Sequence, residues 1–495
     1  MAAPRYIIVE KKDEVYIKIE ADADLRKNLS DYFSFEVPGY RFTPQYRNRV
    51  WDGRIRLYSY ATGQLYVGLY PYLKHWCKEQ KVEIVKNTEI ISIKEHTAAA
   101  LDGLVNSYDI AIPPRSYQLD AFKYAVENER GLILSPTASG KSLISYMLCR
   151  YYLNKINNNI LIIVPTTSLV EQMYHDFGDY SSKDTNFEVR FDCHKVYAGK
   201  EKFNVEPRVI ISTWQSVHRL PKEWFNEYGM VIGDEAHNFK AKSLTSIMEK
   251  CVNARYRIGT TGTLDGTQTH QLVLEGLFGP VYKVTTSKEL MDSGDLAQMD
   301  IDVILLKYKD EYCKVISKLK YQDELDFIVG YGPRNNFIAN LALDQKGNTL
   351  ILFNYVEKHG KPLHDLLKDK IDKKRKLFYV SGETHVDTRE KIRSITEEEN
   401  NAIIVASLGT FSTGINIKRL NNLIFASPSK SQIRVLQSIG RGLRVSPDGI
   451  NTKVYDIADD LHWKAKKNYT LNHAAERIKI YSKEKFKYGI FEINI

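Results

Sequence analysis

Short apolar runs alternate with longer helical segments in two separate blocks of the chain, and this rhythm constrains the fold more than any other feature. Strands that alternate with helices predict βαβ units and a parallel sheet. In the first block the runs are Gly131–Leu134, Ile160–Val164, Val209–Ile211, Met230–Ile232 and Tyr256–Ile258. In the second block they are Thr349–Phe353, Lys376–Val380, Ala402–Ala406, Asn422–Ala426 and Lys453–Ile457. Because each block is long enough for one domain, the sequence predicts two tandem α/β lobes.

The segments outside these blocks predict smaller parts. The N-terminal segment contains short strand patterns around one short helical stretch, which is typical of a small α+β domain. A polar linker is expected at residues 95–109. The predicted domains are, in chain order, a small domain 1–95, a first lobe 110–267, a connector 268–336, a second lobe 337–462 and a basic helical extension 463–495.

Composition narrows the class of protein without identifying it. The 495 residues carry a formal net charge of +9, which favours a polyanionic partner. The five cysteines are far apart and form no CxxC pair, so we expect reduced thiols rather than a disulfide framework or a zinc site. Charges interrupt the N-terminal apolar residues at once, and no apolar stretch approaches the roughly 18 residues of a membrane span. We therefore expect a cytoplasmic protein without a membrane partner.

A candidate phosphate loop follows the first strand of the first block. The sequence SPTASGKS occupies residues 135–142 and leads into a helical segment. Backbone N–H groups of such a loop and the N-terminus of the helix bind phosphates, and a Ser/Gly turn that caps a helix is the structural alternative. We expect Lys141 to reach the β and γ phosphates and Ser142 to hold Mg²⁺. The candidate nucleotide contacts are Pro136, Thr137, Ala138, Ser139, Gly140, Lys141 and Ser142.

An acidic pair ends another predicted strand of the same block. Asp234 and Glu235 follow the apolar run Met230–Ile232. Ligands of open α/β sheets bind at the carboxyl ends of the strands. We expect Asp234 to bind Mg²⁺ and Glu235 to polarise the attacking water. The alternative for an isolated acidic pair is a solvated turn, but an ATPase needs both this metal-binding acid and the upstream phosphate loop.

Two arginines in the second block stand at helical spacing. Gly440 and Arg441 follow Gln437 by three and four positions, and Arg444 follows Arg441 by three, so these residues project from neighbouring turns of a helix. Arginines in such an arrangement can reach a γ-phosphate as arginine fingers. The alternative is the charged start of a surface helix. Because the phosphate loop lies upstream, we expect Gln437, Arg441 and Arg444 to take part in catalysis.

With these motifs in this order, the chain resembles superfamily 2 helicases, which implies that both lobes are RecA-like and that ATP and Mg²⁺ are the cofactors. Arg115 and Gln118 resemble the Q motif, in which the glutamine reads the edge of the adenine. A Thr-Gly-Thr segment resembles motif III, which links hydrolysis to the nucleic acid. The coupling residues that this implies are His237, Thr261, Gly262 and Thr263.

Further motifs of this resemblance lie at strand ends. Gly414 and Asn416 resemble motif V, which implies contact with the nucleotide, although many relatives have Asp where Asn416 stands. The segment Gln437–Arg444 resembles motif VI. Other strand-end loops resemble motifs that contact the nucleic-acid backbone in these helicases. The residues concerned are Pro165, Thr166, Thr213, Trp214, Asn354, Ser381, Gly382 and Ser407.

The resemblance extends to the N-terminal residues. Tyr32–Phe35, Gly39–Phe42 and Trp51–Leu57 resemble the N-terminal domain of the UvsW-type helicases of T4-like phages, and the similarity covers nearly the whole chain. It implies unwinding and branch migration of forks, Holliday junctions and R-loops, with strand annealing, in phage recombination, replication and repair in the host cytoplasm. The implied partners are branched or duplex DNA, RNA–DNA hybrids and a single-strand-binding protein, and we expect a monomer.

An arginine-rich stretch is a second candidate nucleic-acid contact. Residues 41–56 contain five arginines, a single acid and interleaved aromatic residues, a combination that suits phosphate pairing and base stacking. Arg54 and Arg56 are the candidates. The alternative is that the aromatic residues form the core of the domain while the arginines are solvated. The residues that we expect in the core are Phe33, Phe35 and Phe42.

Three functions remain open from the residues alone. The first is a DNA helicase that remodels branches, and the second is an RNA helicase or a duplex translocase that does not unwind. The third is a strand-annealing protein with a vestigial ATPase, which the intact Lys141, Asp234 and Glu235 argue against. The basic tail is either a surface that faces nucleic acid or a solvated helix face.

Overall fold

Both predicted parallel sheets are present in the computed structural model, which describes residues 5–37, 39–87, 90, 97–136, 139–203, 205–264, 268–294, 299–412, 420–428 and 452–495. The chain divides into two compact units, the first formed by Met1–Ser135 and Gly140–Val284 and the second by Thr285–Ile495 together with the short segment Pro136–Ser139. Each unit contains a seven-stranded sheet whose neighbouring strands all run parallel. Every predicted apolar run overlaps a strand of these sheets, so the predicted α/β fold class is confirmed.

The N-terminal domain is a small α+β structure. Its four-stranded sheet has the order β5-β2-β1-β6, and β3 and β4 form a separate antiparallel pair. The strands are β1 (Tyr6–Lys11), β2 (Tyr16–Glu20), β3 (Ser34–Glu36), β4 (Arg54–Arg56), β5 (Gln64–Tyr66) and β6 (Glu83–Lys86). The helices are α1 (Ala23–Tyr32), α2 (Pro44–Arg47) and α3 (Tyr70–Gln80), with 3₁₀ turns at Tyr40–Phe42 and Val67–Leu69.

This domain shares one hydrophobic core with the first lobe. Buried residues of β1, β2 and α3 belong to the same cluster as buried residues of the lobe such as Phe239 and Phe278. Glu249 of the lobe accepts hydrogen bonds from the hydroxyls of Tyr16, at 3.0 Å, and Tyr66, at 2.7 Å. The domain is therefore fixed on the lobe rather than tethered to it.

The first lobe has the strand order β13-β7-β12-β11-β8-β10-β9. Its central strands are apolar throughout because helices cover both faces of a parallel sheet, and all seven residues of β11 are buried. The strands are β7 (Arg130–Leu134), β8 (Asn159–Val164), β9 (Cys193–Val196), β10 (Val209–Thr213), β11 (Tyr228–Asp234), β12 (Tyr256–Thr261) and β13 (Val281–Lys283). The helices are α4 (Ala98–Asn106), α5 (Ser116–Asn128), α6 (Lys141–Leu153), α7 (Thr167–Tyr180), α8 (Val189–Asp192), α9 (Trp214–Val217), α10 (Lys222–Phe225), α11 (Lys242–Lys250) and α12 (Gln268–Phe278), with a 3₁₀ turn at Ala236–Lys240.

The second unit has the strand order β16-β17-β15-β18-β19-β14-β20. The strands are β14 (Met299–Lys307), β15 (Thr349–Phe353), β16 (Leu377–Val380), β17 (Ile403–Ser407), β18 (Asn422–Phe425), β19 (Thr452–Asp460) and β20 (Lys487–Asn494). The helices are α13 (Ser287–Asp292), α14 (Asp310–Ile316), α15 (Tyr321–Gly330), α16 (Gly332–Asp344), α17 (Lys361–Lys370), α18 (Val386–Glu398), α19 (Leu408–Ser412) and α20 (Tyr469–Lys483), with a π-helical turn at Val356–Gly360.

The expected connector and tail are not separate parts. Within residues 268–336, α12 and β13 belong to the first unit and β14 lies inside the second sheet, paired with β19 and β20. The tail is helical in α20 but ends in β20, the edge strand of that sheet. These strands are short, exposed or alternate between buried and partly exposed residues, and the partners of β14 and β20 are distant in sequence. The expected polar linker contains α4, whose Leu101 and Val105 are buried in the core of the first lobe.

A buried ion pair holds α20 against β19. The guanidinium of Arg477 donates to the carboxylate of Asp456 at 2.8 Å, and both side chains are almost fully buried. The hydroxyl of Tyr481 donates to the same carboxylate, also at 2.8 Å. The C-terminal basic segment is thus partly structural, because its single arginine is buried in the core.

We expect Arg477→Met to lower the free energy of unfolding of the second unit by about 3–5 kcal/mol, because it leaves the Asp456 carboxylate buried without its cation. Lys479→Met is the matched control, since Lys479 is exposed and its pair with Glu476 contributes at most about 1 kcal/mol. Urea unfolding followed by circular dichroism measures both. Equal midpoints for the two variants would contradict a structural role of the ion pair.

Candidate functional site

Three neighbouring strands of the first sheet end at one edge, and their last residues come together there. β12 lies between β7 and β11, so Ser135, Thr261 and Asp234 follow or end adjacent strands. The backbone N–H of Ser135 donates to the carbonyl of Thr261 at 2.9 Å, which joins the start of the predicted phosphate loop to the predicted motif III. The carboxyl edge of a parallel sheet is where ligands of open α/β sheets bind.

The predicted phosphate loop connects β7 to the N-terminus of α6. Gly140 precedes the helix with φ +77°, a left-handed conformation that glycine adopts without strain. Lys141 opens the helix, and its Nζ donates to the carbonyl of Ser135 at 3.4 Å. Ser139 closes a turn by donating its hydroxyl to the carbonyl of Pro136 at 2.7 Å. The helix N-terminus therefore faces the sheet edge with its backbone N–H groups, an anion-binding arrangement. Thr137 and Ala138 lie outside the described residues.

The predicted Q-motif residues lie against this loop. Gln118 is buried, its side-chain oxygen accepts the backbone N–H of Arg115 at 2.8 Å, and its amide nitrogen lies 3.5 Å from the carbonyl of Gly140. A Cβ on Gly140 would lie 2.3 Å from that nitrogen, so a larger residue would displace the Gln118 side chain or the loop. Arg115 caps α5, and its guanidinium donates to the hydroxyl of Tyr117 at 2.9 Å.

The acidic pair has an unusual local environment. Thr260, the register partner of Asp234 on β12, donates its hydroxyl to the Asp234 carboxylate at 2.8 Å. Burial and the neighbouring Glu235 raise the pKa of Asp234 to about 6, while the charge of Lys141 acts in the opposite direction. Glu235 has φ 49°, a left-handed conformation that costs a non-glycine residue about 1–2 kcal/mol. Backbone strain of this kind concentrates at functional sites.

The predicted coupling residues form a connected chain. Nδ1 of His237 lies 3.1 Å from the hydroxyl of Thr261 and 3.4 Å from a carboxylate oxygen of Glu235. The Thr261 hydroxyl donates to the carbonyl of Thr263 at 3.0 Å, so Nδ1 of His237 carries the proton and donates to Thr261. Gly262 lies between the two threonines. Glu235 and the segment after β12 are thus joined through one imidazole.

Two residues at this edge were not identified from the sequence. Thr260 directly precedes the predicted motif III, but its link to Asp234 depends on the register of β11 and β12, which the sequence does not show. The hydroxyl of Tyr180, at the end of α7, lies 2.8 Å from the hydroxyl of Ser142. No local pattern marks Tyr180, because it meets Ser142 only through the packing of α7 on α6.

The predicted backbone-contact residues of the first lobe lie at the ends of two adjacent strands, β8 and β10. Thr166 caps α7, and its hydroxyl accepts the backbone N–H of Leu169 at 3.3 Å. The side chain of Gln215 donates to the carbonyl of Pro165 at 3.4 Å, which joins the two loops. Thr213 bonds to Ser216 at 2.9 Å, and Trp214 contacts the ring of His218. These residues form one cluster, next to the strand ends of the nucleotide motifs.

The corresponding residues of the second unit lie at the ends of β15, β16 and β17, which are neighbours. Asn354 donates its backbone N–H to the hydroxyl of Ser427 at 3.2 Å. Ser381 and Ser407 are buried and close local turns with Thr384 and Thr410, while Gly382 is exposed. In addition to Thr137 and Ala138, five predicted site residues lie outside the described residues: Gly414, Asn416, Gln437, Arg441 and Arg444.

The arginine-rich stretch occupies the loop between β3 and β4 and β4 itself. All five of its arginines are exposed. Arg54 lies 3.5 Å from Glu36 and Arg56 pairs with Asp52, but exposed pairs of this kind contribute only about 0–1 kcal/mol and exchange readily for other anions.

The expectation of a core role for Phe42 is wrong. Phe42 is 78 % exposed, whereas Phe33 is buried and Phe35 packs against the core. Phe42 ends a 3₁₀ turn in the loop between β3 and β4, and the presence of an aromatic residue in the sequence does not show whether its side chain is buried. A cavity of ≈ 410 Å³ lies beside it, lined by Glu36, Val37, Gly39, Tyr40, Arg41 and Phe42.

Other expectations concern the chain as a whole. All five cysteines are buried free thiols, as expected for a core role. Among the helices in the described ranges, none has the length and apolar composition needed to cross a bilayer.

In superfamily 2 helicases, nucleotide-binding motifs lie at the carboxyl edge of the parallel sheet of a first lobe, and a second lobe with a parallel sheet follows. This chain has the same architecture. Comparison with known families supports this class. Residues 111–266 match the family described as type III restriction enzyme, res subunit, and residues 334–446 match the helicase conserved C-terminal domain. Residues 6–87 match the family described as DNA helicase UvsW, N-terminal.

The particular family follows from the full-length relatives. The ATP-dependent DNA helicase UvsW of Enterobacteria phage T4 is 36 % identical over 99 % of this chain and 100 % of its own length. The crystal structure of T4 UvsW matches with a TM-score of 0.52 at 34 % identity, covering 99 % of both chains. A probable helicase of Escherichia phage T5, D10, is 22 % identical over 64 % of this chain and 65 % of its own length. The chain belongs to the UvsW family and is an ATP-dependent DNA helicase.

We expect Gly140→Ala to weaken nucleotide binding, because the added methyl would force Gln118 or the loop to move. Gly199→Ala is the matched control, since Gly199 has φ +84° but no atom within 4 Å of its added Cβ. Both changes should destabilise the fold by about 1–2 kcal/mol through left-handed strain alone. Titration with a fluorescent ADP measures the nucleotide affinity of both variants. Equal affinities for Gly140→Ala and Gly199→Ala would contradict the packing of Gln118 on the loop.

Proposed function

We propose that this helicase acts on branched DNA, and that it unwinds and branch-migrates forks, Holliday junctions and R-loops in phage recombination, replication and repair. The observation that carries the proposal is the exposed loop between β3 and β4, with its arginines and Phe42. Exposed aromatic rings stack on unpaired bases, and arginines pair with phosphates. A branch offers both kinds of group at one place, whereas a continuous duplex buries its bases.

The attachment of this loop supports the same proposal. The loop belongs to a domain that shares its core with the first lobe, and Gly68 of that domain approaches the lobe so closely that a Cβ would lie 2.0 Å from the carbonyl of Glu275. Aromatic contacts order the loop itself, since Tyr40 meets Tyr46 edge to face with ring centroids 4.7 Å apart. A surface held in this way can meet a DNA branch at a fixed position relative to the nucleotide edge.

The proposed nucleotide roles follow from the donor chemistry at that edge. Lys141 would pair with the β and γ phosphates, Gln118 would read the adenine, and Glu235 would orient the attacking water. The oxygens of Ser142 and Asp234 are hard ligands of the kind that Mg²⁺ prefers, and they fit a metal that also binds the phosphates. The bound ion would supply charge neutralisation of the phosphates.

The remaining roles concern the second unit and the coupling residues. Arg441 and Arg444 would stabilise charge on the γ-phosphate, with Gln437 beside them, and Gly414 and Asn416 would contact the nucleotide. His237 would transmit the state of the site to the segment after β12. The proposed partners are branched or duplex DNA, RNA–DNA hybrids and a single-strand-binding protein, and the chain is proposed to act as a monomer in the host-cell cytoplasm.

The test is a strand-displacement panel in which a fork, a Holliday junction, an R-loop, a linear DNA duplex and an RNA duplex share length and sequence. We expect the three branched substrates to be processed faster than the linear DNA duplex, and the RNA duplex to remain intact. A linear duplex unwound as fast as the fork would contradict branch specificity, and unwinding of the RNA duplex would favour an RNA helicase.

Active-site variants belong in the same panel. Glu235→Gln should retain ATP binding but lose about 10²–10⁴-fold of turnover, because the amide cannot accept a proton from water. Lys141→Ala should abolish displacement and spare ATP-independent annealing. Glu227→Gln, a change outside the site, is the control. Normal hydrolysis by Glu235→Gln would show that another residue activates the water.

We expect the double variant Arg54→Ala/Arg56→Ala to bind forks more weakly and to show a shallower salt dependence. Each lost phosphate contact should reduce the slope of log K against log salt by about 0.9 on duplex DNA. Arg5→Ala/Lys18→Ala is the matched control, because these cations of the same domain are also exposed and paired with acids. Fluorescence anisotropy across a salt series measures both, and identical slopes would leave the arginines with a solvated role only.

A further inference from the structure

The helix of the predicted phosphate loop, α6, presents one row of polar side chains to the segment that follows α7. Ser142, Tyr146 and Arg150 are four residues apart and therefore lie on the same face. Each of the three forms a hydrogen bond with Tyr180, the last residue of α7, or with Asp184. The Ser142 and Tyr180 hydroxyls lie 2.8 Å apart, Tyr146 donates to Asp184 at 3.1 Å, and Arg150 donates to Asp184 at 2.6 Å and 3.1 Å.

The lower part of this row is a rigid anchor. The side chains of Arg150 and Asp184 are 5 % and 1 % exposed, so their ion pair is buried and screened little by salt. The Arg150 guanidinium also stacks on Tyr108 and Phe187, with distances of 5.0 Å and 5.4 Å to the ring centroids. This pairing fixes the segment after α7 relative to α6.

Tyr180 is held from several sides. Its ring lies against Tyr146, with centroids 5.7 Å apart. Its carbonyl accepts the backbone N–H of Ala111 at 3.0 Å, which ties it to the segment before the Q motif. The phenol oxygen therefore reaches Ser142 from a framework that does not depend on Ser142 itself.

The partner of the Ser142 hydroxyl matters because a serine hydroxyl has one proton and two lone pairs. A hydroxyl that binds a metal uses a lone pair, and its proton must point to another acceptor. At 2.8 Å either hydroxyl can donate to the other, so the phenol oxygen of Tyr180 can serve as that acceptor when the serine oxygen binds a metal. A bond to it selects one rotamer and orients the remaining electron pairs of the serine oxygen.

We propose that Tyr180 is a positioning residue for Ser142, accepting its proton so that the serine oxygen is preset to bind Mg²⁺ of the nucleotide complex. This rests on the metal-binding role proposed for Ser142. Tyr180 does not touch the nucleotide in this assignment. It acts by removing the rotamer search that an unpartnered serine would undergo before metal binding.

The test uses the full-length protein and a titration with Mg²⁺ at fixed mant-ADP, followed by fluorescence. We expect Tyr180→Phe, which keeps the ring packing, to raise the Mg²⁺ concentration for half-maximal binding about 3- to 10-fold, as for loss of one hydrogen bond. Binding of mant-ADP in EDTA should not change. A general loss of folding would weaken both, so the split between the two conditions reports positioning.

Two further variants keep the outcomes distinct. Tyr174→Phe removes a hydroxyl from the same helix and should leave the Mg²⁺ titration unchanged. Ser142→Ala should shift the titration more than Tyr180→Phe does, and adding Tyr180→Phe to it should have no further effect, because the two residues act as one pair.

The possible failures point to different errors. If Ser142→Ala leaves the Mg²⁺ dependence unchanged, the metal-binding role of Ser142 is wrong and the proposal falls with it. If Ser142→Ala shifts the titration but Tyr180→Phe does not, or if their effects add, Ser142 binds the metal without help from Tyr180. If Tyr180→Phe shows the same Mg²⁺ dependence as the wild-type protein, the positioning role of Tyr180 is wrong, while the metal-binding role of Ser142 is unaffected.

Discussion

Parallel pairing of β7, β12 and β11 is the constraint on which the rest of the site depends. Parallel strands all end at the same edge, so residues more than a hundred positions apart arrive side by side there. Direct hydrogen bonds then join the two threonines at the end of β12 to their neighbours: Thr261 to Ser135 in the loop before α6, and Thr260 to Asp234 at the end of β11. A slip of one residue between β11 and β12 would separate Thr260 from Asp234 and turn the strand side chains to the opposite face.

The fusion of the N-terminal domain to the first lobe is the second organising feature. The two parts form one body because they share a hydrophobic core. Hydrogen bonds from Tyr16 and Tyr66 to Glu249 and an ion pair between Arg130 and Glu14 also join them. The exposed loop between β3 and β4 consequently has a fixed relation to the nucleotide edge. In a helicase of this family, that relation would let the motor hold a DNA branch at a defined place while ATP is bound and hydrolysed.

Several features could be predicted from local pattern because their signal is local. Central strands of a parallel sheet are buried on both faces, which produces continuous apolar runs, and most strands of the two sheets were predicted from such runs. Loop residues such as Gly140 and Lys141 carry the chemistry of phosphate binding in their own identity and order. β14 and β20 escaped recognition because an alternating or exposed strand resembles a loop or helix until its partner is known. Phe42 was misplaced because the same aromatic residue serves equally in a core or on an exposed loop.

The sequence by itself determined the two lobes with parallel sheets, the predicted nucleotide motifs of the first lobe and the helicase family to which the chain belongs. Function requires particular residue types at the ends of particular strands, and their identity and spacing can be read directly from the sequence. Only the tertiary structure decided that the N-terminal domain is fused to the lobe, that the expected connector and tail add strands to the sheets, and that Tyr180 and Thr260 are hydrogen-bonded to Ser142 and Asp234. These features depend on contacts between segments distant in the chain. Such contacts follow from packing in three dimensions and leave no periodic mark in the sequence.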